Sequence, residues 1–492
     1  MYCVVEENFK LLMKHSIQIF CLIVLAFVYT SCSDDDPQPP NSQPTIQVSD
    51  DIIGMTGEEK TITVIAADPD GDALDFSWNI IESPSGTAAN LTNTSNLNAT
   101  FTTTTAGLYK VEIEVNDTRG GTASGIVTLY IGGKLPTSIN QNTVYPDLFN
   151  DPAYPDYYAP NTIQVTAGVT FDPGVVVESG ADVRLWFNGN SSYLKAEGTS
   201  SKHIIFRGID KVKGSWKGIS IASNNVNNKF DYVDILHAGS SELSGQKTAI
   251  HLQSNVSAKL SIKNTSISQS AGYAFYIDGN TGVISAFEKN NFNNNDKAPM
   301  RIGAENLYVL DKNSVFTNNG IQAIEVASAG NTNARFNNAG TIPALSIPYH
   351  FYSSAELRTT VTFEAGVTCL FNSGLRLWVT SDGAIIADGT PSNKIKFSGL
   401  TAAAGAWFGF EIASPSVQNL INHAEVSYGG STGGRGANIY MFGSSPGAKL
   451  TITNSIISNS ETYGIWTTSG SITLVDSGNT FSNNPSGNKR QD

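Results

Sequence analysis

The sequence predicts an all-β chain, a small β-sandwich followed by a right-handed parallel β-helix solenoid. Three observations carry that expectation. Charged residues are 15% of the 492, glycine numbers 45, and Ser, Thr and Asn recur throughout. That mix suits short strands and turns better than helices. Within residues 45–132, several runs alternate apolar and polar with period two. From residue 134 onward, short strand-like segments return at intervals near 25 residues, inside a duplication spaced by about 191 residues, which is the mark of a solenoid. The length accommodates one small domain plus an extended repeat. A net charge of −13 argues against nucleic acid or an anionic membrane surface as partner, because both select basic patches.

The first 32 residues read as an address rather than as structure. Met13 makes the better start, since Lys14 and His15 form a polar segment ahead of the apolar run Ile17–Thr30. That run is shorter than the roughly 20 residues a membrane-spanning helix needs and has the length of a secretory core. It ends in Tyr29-Thr30-Ser31-Cys32, which resembles the lipobox of bacterial lipoproteins, although Tyr29 is an unusual occupant of its position. The resemblance implies that Cys32 is lipidated and becomes the first residue. Ser33-Asp34-Asp35-Asp36 resembles the acidic tag that sends Bacteroidetes lipoproteins to the outer face of the outer membrane. The expected location is therefore the cell exterior, with the membrane reached through lipid alone. Of four cysteines, Cys3 and Cys21 precede that point, which leaves Cys369 without a disulfide partner. Its apolar setting, Val367–Phe371, marks it as core filling rather than as a nucleophile. Residues 33–44 carry four prolines between Pro37 and Pro44, a semi-rigid tether.

Residues 45–132 form the expected sandwich. Tyr109, Val111, Ile113 and Val115 point one way, and Lys110, Glu112 and Glu114 the other. Asp68-Pro69-Asp70-Gly71-Asp72 and Pro84-Ser85-Gly86 supply turns between such runs. Trp78 sits in the strand-like Phe76-Ser77-Trp78 and is the expected core anchor. The segments Asp68–Trp78 and Ala106–Asp117 resemble the PKD and cadherin-like modules of bacterial surface proteins, which implies an Ig-like fold. Asp68, Asp70 and Asp72 offer the hard oxygen ligands that calcium takes. The alternative, preferred here, is a polar turn closed by Gly71.

The solenoid occupies residues 133–492, with copy one at about 160–342 and copy two at about 343–484. Gly214-Ser215-Trp216-Lys217-Gly218 returns as Gly405-Ala406-Trp407-Phe408-Gly409, and Ala196-Glu197-Gly198-Thr199 as Ala387-Asp388-Gly389-Thr390, both 191 residues on. Val183-Arg184-Leu185-Trp186 and Lys259-Leu260-Ser261-Ile262 recur at almost the same spacing. Within copy one, strands centre on Ser220, His251, Tyr276, Arg301 and Glu325. Asn264, Asn290 and Asn313 precede Ile267, Phe292 and Phe316, and Asn454 and Asn479 repeat the series, so a ladder of asparagines is expected at one turn. Amphipathic runs of helical length and fixed leucines are both missing, which leaves coils of three short strands. Phe292-Asn293-Asn294, Phe316-Thr317-Asn318-Asn319 and Phe481-Ser482-Asn483-Asn484 resemble the right-handed β-helix repeats of Bacteroidetes surface proteins, on the pectate-lyase-like superfamily fold. That scaffold carries lyases, hydrolases, adhesins and inert stalks alike.

Function must then come from side chains that face out. Neighbours of a buried strand residue point to solvent, which exposes His251, Tyr276, Arg301 and Glu325. Coils stack about 4.8 Å apart, so the four should form one ladder, and Glu411, Tyr440 and Trp466 should extend it from the equivalent strand of copy two. Rings for sugar faces and polar groups for hydroxyls make polysaccharide the expected partner, with a surface or matrix protein as the alternative. Arg184 with Trp186, and Arg376 with Trp378, should form structural cation–π stacks.

Catalysis asks for more. Hydrolases of this fold use carboxylates a few ångströms apart, and lyases use a base with a means of neutralising a uronate. The best acidic candidates are Asp231 and Asp234 with His237 beside them, but no carboxylate partner stands near Asp234 on the next coil. His203 and His350 read as structural or merely exposed. A non-catalytic binder is therefore expected, with a lyase or glycoside hydrolase and a structural stalk or adhesin as alternatives.

Overall fold

A computed structural model describes residues 39–254, 256–328, 332–443 and 446–492. The expected leader, with Met13, Cys32 and the acidic tag, lies outside the described residues. Alternation builds the sandwich as expected. In Gly107–Asp117 the residues Tyr109, Val111, Ile113 and Val115 are fully buried. Thr45–Val48, Lys60–Ala67, Asn98–Thr103 and Ala89–Thr92 pair in that order as one sheet. Leu74–Glu82, Gly107–Asp117 and Thr122–Lys134 pair antiparallel in the other, with Ile52–Met55 parallel to the last. Trp78 packs in the core between them, and its Nε1–H donates to the Asn96 carbonyl at 2.8 Å. The Tyr109 hydroxyl reaches back to the Thr105 carbonyl at 2.8 Å, the corner contact used by Ig-like sandwiches.

No linker separates the sandwich from the solenoid. Thr122–Lys134 leaves Gly107–Asp117 at Ile131 and pairs in parallel with Tyr157–Ala159 through Gly133 and Lys134. One 11-stranded sheet therefore runs through both parts. Gly132 is needed at the joint, because a Cβ there would lie 2.6 Å from the Pro155 carbonyl oxygen. Tyr130 stacks on Tyr154 with ring centroids 3.5 Å apart, and the Tyr154 hydroxyl donates to Asp51 at 2.6 Å. The buried Asp156 carboxylate accepts the N–H groups of Leu148, Phe149 and Val176 at 2.7, 2.9 and 2.7 Å. Burial pushes its carboxyl up to about 6 against the pull of those donors.

Later coils contribute one short strand to each of three faces, except where the 3-10 helix Ala304–Val309 follows Met300–Ile302 in place of a third strand, and the strand pairings between coils are parallel. Isoleucine, valine, leucine and phenylalanine fill one continuous interior. Cys369 is fully buried within it, where burial pushes the thiol pKa up. The duplication is repeated in detail: the Trp216 indole donates to the Leu236 carbonyl at 2.7 Å, and Trp407 to Ser427 at 2.9 Å.

The two copies are nevertheless out of phase. Arg184–Asn188 is the second strand of its coil and belongs to the 14-stranded sheet, yet its duplicate Arg376–Val379 belongs to another sheet. The 14-stranded sheet instead takes Thr368–Phe371, the duplicate of the first-face strand Val176–Ser179. The cause lies at the junction. Copy one ends on the second-face strand Ile324–Val326, and Ala334–Phe336 and Gly340–Ile342 follow beside the 3-10 helix Ala304–Val309. The second copy therefore starts one face later.

The polar ladder at the turns also differs from expectation by one position. Asn290 accepts the Thr265 N–H at 3.1 Å and donates to the Ile262 carbonyl at 3.0 Å. Ser314, not Asn313, continues the series by bonding the Asn290 N–H at 2.9 Å. Asn313 is exposed and bonds only locally, to Asp311. Asn264 and Asn454 instead take left-handed turn conformations, φ 43° and 50°. A second ladder, Ser270–Asn295–Asn319, runs along the adjacent turn.

Candidate binding site: two outward ladders

The first ladder has the expected register. Ser220, His251, Tyr276, Arg301, Glu325 and His350 are partners in successive coils. The expected exposure is not found, since His251 and Glu325 are each 1% exposed. Alternation turns these side chains outward, and long neighbours then cover them. Glu325 accepts the hydroxyls of Tyr273 at 2.8 Å and Tyr352 at 3.0 Å, and pairs with Arg301 at 3.5 Å. Arg301 lies over the Tyr352 ring at 5.1 Å and Lys297 over Tyr273 at 5.0 Å. Tyr276 stands between His251 and Tyr273, with centroids at 5.6 and 6.0 Å. The rings of His251, Tyr276 and Tyr273 turn toward one another, while Tyr276, Arg301 and Tyr352 stay partly exposed.

His251 is also the centre of a constellation that sequence reading missed. Its Nδ1 lies 3.2 Å from the Ser220 hydroxyl and its Nε2 3.0 Å from Asp278. Burial works against it, but the His251 hydrogen bond and the Ser254 N–H hold the Asp278 carboxyl well below the usual carboxylate range. A serine, a histidine and a carboxylate in line invite a nucleophilic reading. Ser220, however, is fully buried, and its oxygen accepts from Arg184 at 2.7 Å and Gln253 at 3.2 Å. No substrate carbonyl can approach it. The arrangement is a structural relay.

The acidic candidates do not converge. Asp231 lies on the third face and accepts the Asn264 amide at 2.7 Å. Asp234 lies on the first face, where it pairs with His203 at 3.0 Å, so its partner is that histidine rather than a second carboxylate. His237 is buried in a left-handed turn, φ 66°, which Tyr428 reproduces in copy two at φ 62°. Turn geometry explains its place. Burial, with Arg207 and Lys211 nearby, lowers its pKa.

The second ladder runs Arg335, Glu356, Trp378, Glu411, Tyr440, Trp466 and Arg490. Because of the phase shift it lies on a different sheet from the first, so Glu411, Tyr440 and Trp466 do not extend the His251–Glu325 strip. Glu411 is 3% exposed and is held by Arg376 at 2.7 Å and Arg435 at 3.8 Å. Arg376 lies 5.1 Å over Trp378 and Arg184 4.5 Å over Trp186, the stacks expected of both pairs.

Beyond Glu411 this ladder opens. Tyr440, Tyr463, Trp466, Arg435 and Arg490 line a cleft of about 350 Å³. Tyr440 and Tyr463 meet Trp466 edge to face at 5.5 and 5.8 Å. Arg435 lies 5.4 Å over Tyr440, and Arg490 lies 4.0 Å over Trp466. Asp492 accepts from Arg490 Nε at 2.8 Å and from the Trp466 indole at 2.9 Å. Tyr463, Arg435 and Arg490 were not singled out from sequence. Arg490 could have been, since it stands one coil beyond Trp466 as Arg301 stands beyond Tyr276. A wider depression of about 640 Å³ near the last coil has only Tyr428 and Phe481 as rings and no charged side chain.

In the sandwich, an acidic corner forms from Asp68, Asp72 and Asp117, whose carboxylate oxygens lie within 4.8 Å of one another. Asp70 is not part of it, because its carboxylate bonds Ser42 N at 2.6 Å and Oγ at 3.2 Å. Asp117 replaces it from the end of a distant strand, and Arg119 approaches Asp72 at 3.5 Å. Asp68 Oδ1 accepts the N–H groups of Asp70 and Asp72 at 2.8 and 3.1 Å, which closes the loop as a turn.

Residues 41–130 match the Bacterial Ig domain family, in agreement with the sandwich topology. No curated protein matches the chain. Among solved structures, the chain is similar to a nucleoside hydrolase-related hypothetical protein from Saccharophagus degradans that is associated with carbohydrate metabolism. Identity there is 21% over 18% of this chain and 26% of that one, with a TM-score of 0.17. The PKD domain of human KIAA0319 matches at 17% identity over 21% of this chain and 93% of its own, TM-score 0.18. The D00–D0 domain of Intimin matches at 15% identity over 20% and 58%, TM-score 0.16. These scores are too low to carry an argument, and the fold rests on the strand pairing. What is shown is an Ig-like module fused to a parallel β-helix.

Proposed function

We propose that this protein is an exported surface lipoprotein that binds extracellular polysaccharide at the Tyr440–Tyr463–Trp466 cleft without cleaving it. The carrying observation is the cleft itself, where three rings and two guanidinium groups converge on an outward face. Aromatic edges and faces suit the C–H surfaces of a pyranose, and guanidinium N–H groups suit its oxygens. The volume falls in the range of small-molecule sites, roughly 300–1,000 Å³. Lipidation at Cys32 would supply the anchor and outer-membrane location. The shared 11-stranded sheet would hold the cleft clear of that anchor. The corner at Asp68, Asp72 and Asp117 is read as a hydrogen-bonded turn with Arg119 as counter-charge, and calcium has no part in the proposal.

A glycan-array screen of the mature protein tests the reading. Trp466→Ala and Tyr440→Ala should each weaken binding about tenfold, the scale of one aromatic contact, with melting temperature preserved. Unchanged binding in both would move the site elsewhere. No glycan binding at all would favour a stalk or a protein partner. New chain ends released from any polymer, lost in Asp234→Ala, would restore the enzyme reading.

A further inference from the structure

We infer that copies of this protein associate head to tail, the acidic sheet face of one sandwich docking on an arginine strip of another copy's solenoid. Neither surface includes the three rings of the cleft, so the contact is independent of the glycan reading. The strip runs from the junction into copy two. Arg335 at 3.2 Å and Arg358 at 2.8 Å clamp Glu356, whose side chain is 5% exposed. Two coils on, Arg376 and Arg435 hold Glu411 in the same manner.

The four arginine side chains stay between 33% and 52% exposed. Four guanidinium groups against two carboxylates leave two positive charges in surplus, on a chain whose net charge is −13. Trp378 lies between the clamps, in register with both glutamates. The fold does not require this charge. At the duplicate positions of copy one stand Gln164 for Glu356, Thr166 for Arg358 and Ser220 for Glu411.

The opposite charge is on the sandwich. Gly107–Asp117 turns Glu112 and Glu114 outward, and Leu74–Glu82 adds Asp75 to the same face. Lys110 on the first of these strands is taken by Glu82 at 2.7 Å, and Arg119 in the hairpin by Asp72 at 3.5 Å. Asp75, Glu112 and Glu114 are left without an ion pair among the described residues. Ile126, 48% exposed, stands opposite Glu112 and gives this face an apolar centre, as Trp378 gives the strip. One molecule cannot join its own two surfaces. Seven coil steps, about 34 Å, separate Ser138–Ile139 beside the joint from Ile324–Val326 before the strip, and the shared sheet holds the sandwich at the near end. The contact is therefore made between copies, and because two different patches meet it is heterologous.

The test is sedimentation velocity of the full mature chain at rising concentration, in low and in high salt. Cys32→Ala is used throughout to exclude association through lipid. Mass should rise above the monomer in low salt and fall back in high salt, where screening weakens charge pairing. Glu112→Lys with Glu114→Lys should weaken association at least about tenfold, with melting retained. Arg335→Gln with Arg376→Gln, which leaves each glutamate one arginine, should do the same. Mixed in equal amounts, the sandwich variant and the strip variant should form a dimer and stop there, because one intact pair of surfaces remains. A monomer at every concentration in low salt would overturn the inference. So would association that Glu112→Lys with Glu114→Lys leaves unchanged, or a mixture that stays monomeric. If the strip variant loses its fold, the sandwich variant alone decides.

Discussion

Asp278, partly exposed, and Asp156, fully buried, are carboxylates with opposite consequences for stability. Hydrogen bonds from His251 and Ser254 hold Asp278 below its unfolded value. The folded state therefore stays ionised where the unfolded chain takes up a proton, and this stabilisation is lost as pH falls below about 4. Burial pushes Asp156 the other way, to about 6. Its contribution is present below about pH 4 and is lost as pH rises through about 6. Melting temperatures of wild type and Asp156→Asn, followed from pH 4 to 7, should converge or cross as pH rises, because only wild type loses that proton. A constant gap would show that Asp156 does not titrate in the window. Neither residue was legible beforehand. Asp278 meets His251 from 27 residues away, and Asp156 acts through backbone N–H groups that a sequence does not place. Cys369 was legible because its neighbours are apolar on both sides. The Asp68–Asp72 corner was legible only in part, because spacing within one turn does not show that Asp117 approaches Asp68 and Asp72 while Asp70 turns to Ser42.

Among the elements, strand register was the most legible feature. A period of two and a coil repeat near 25 residues must agree at every strand, so His251, Tyr276, Arg301 and Glu325 could be aligned with no structure in hand. Their cover could not, because Tyr352 is 27 residues from Glu325 and Tyr273 is 52 residues from it. The turns were harder again. Asparagine recurs at many turns, and only the backbone shows which one is left-handed and which one faces in. The consequence is measurable. Phe292 and Phe316 lie in the core with ring centroids 6.0 Å apart, and either alanine substitution should cost about 3–5 kcal/mol. Asn290→Ala strands the Thr265 N–H and the Ile262 carbonyl, at about 1–3 kcal/mol. Asn313→Ala should change stability by less than about 0.5 kcal/mol, as an exposed substitution. Denaturant midpoints of the four variants check the register, and a large loss in Asn313→Ala would put it back in the ladder.

At the scale of the whole molecule, the duplication was readable and its rotation was not. Equal spacing between Trp216 and Trp407 shows two copies, but the phase is set at the junction near Ala304–Val309, where the strand count between copies departs from the repeat. That offset separates the two ladders, one with His251 and Glu325 covered, the other facing out near the last coil. The joint at Thr122–Lys134 matters in the same way. A flexible linker would let the solenoid fold back toward its anchor, whereas one shared sheet, with Tyr130 on Tyr154 and Asp156 pinning three N–H groups, transmits direction from sandwich to cleft. This gives the anchoring proposal a definite form. Cys32→Ala should move the protein from the membrane fraction to the soluble fraction, with melting and glycan binding unchanged. Removing Asp34–Asp36 should keep the protein in membranes but shield it from protease added to whole cells. Membrane retention of Cys32→Ala would show that something other than a lipid holds the chain, and undiminished protease access after removal of the acidic residues would show that they do not direct export.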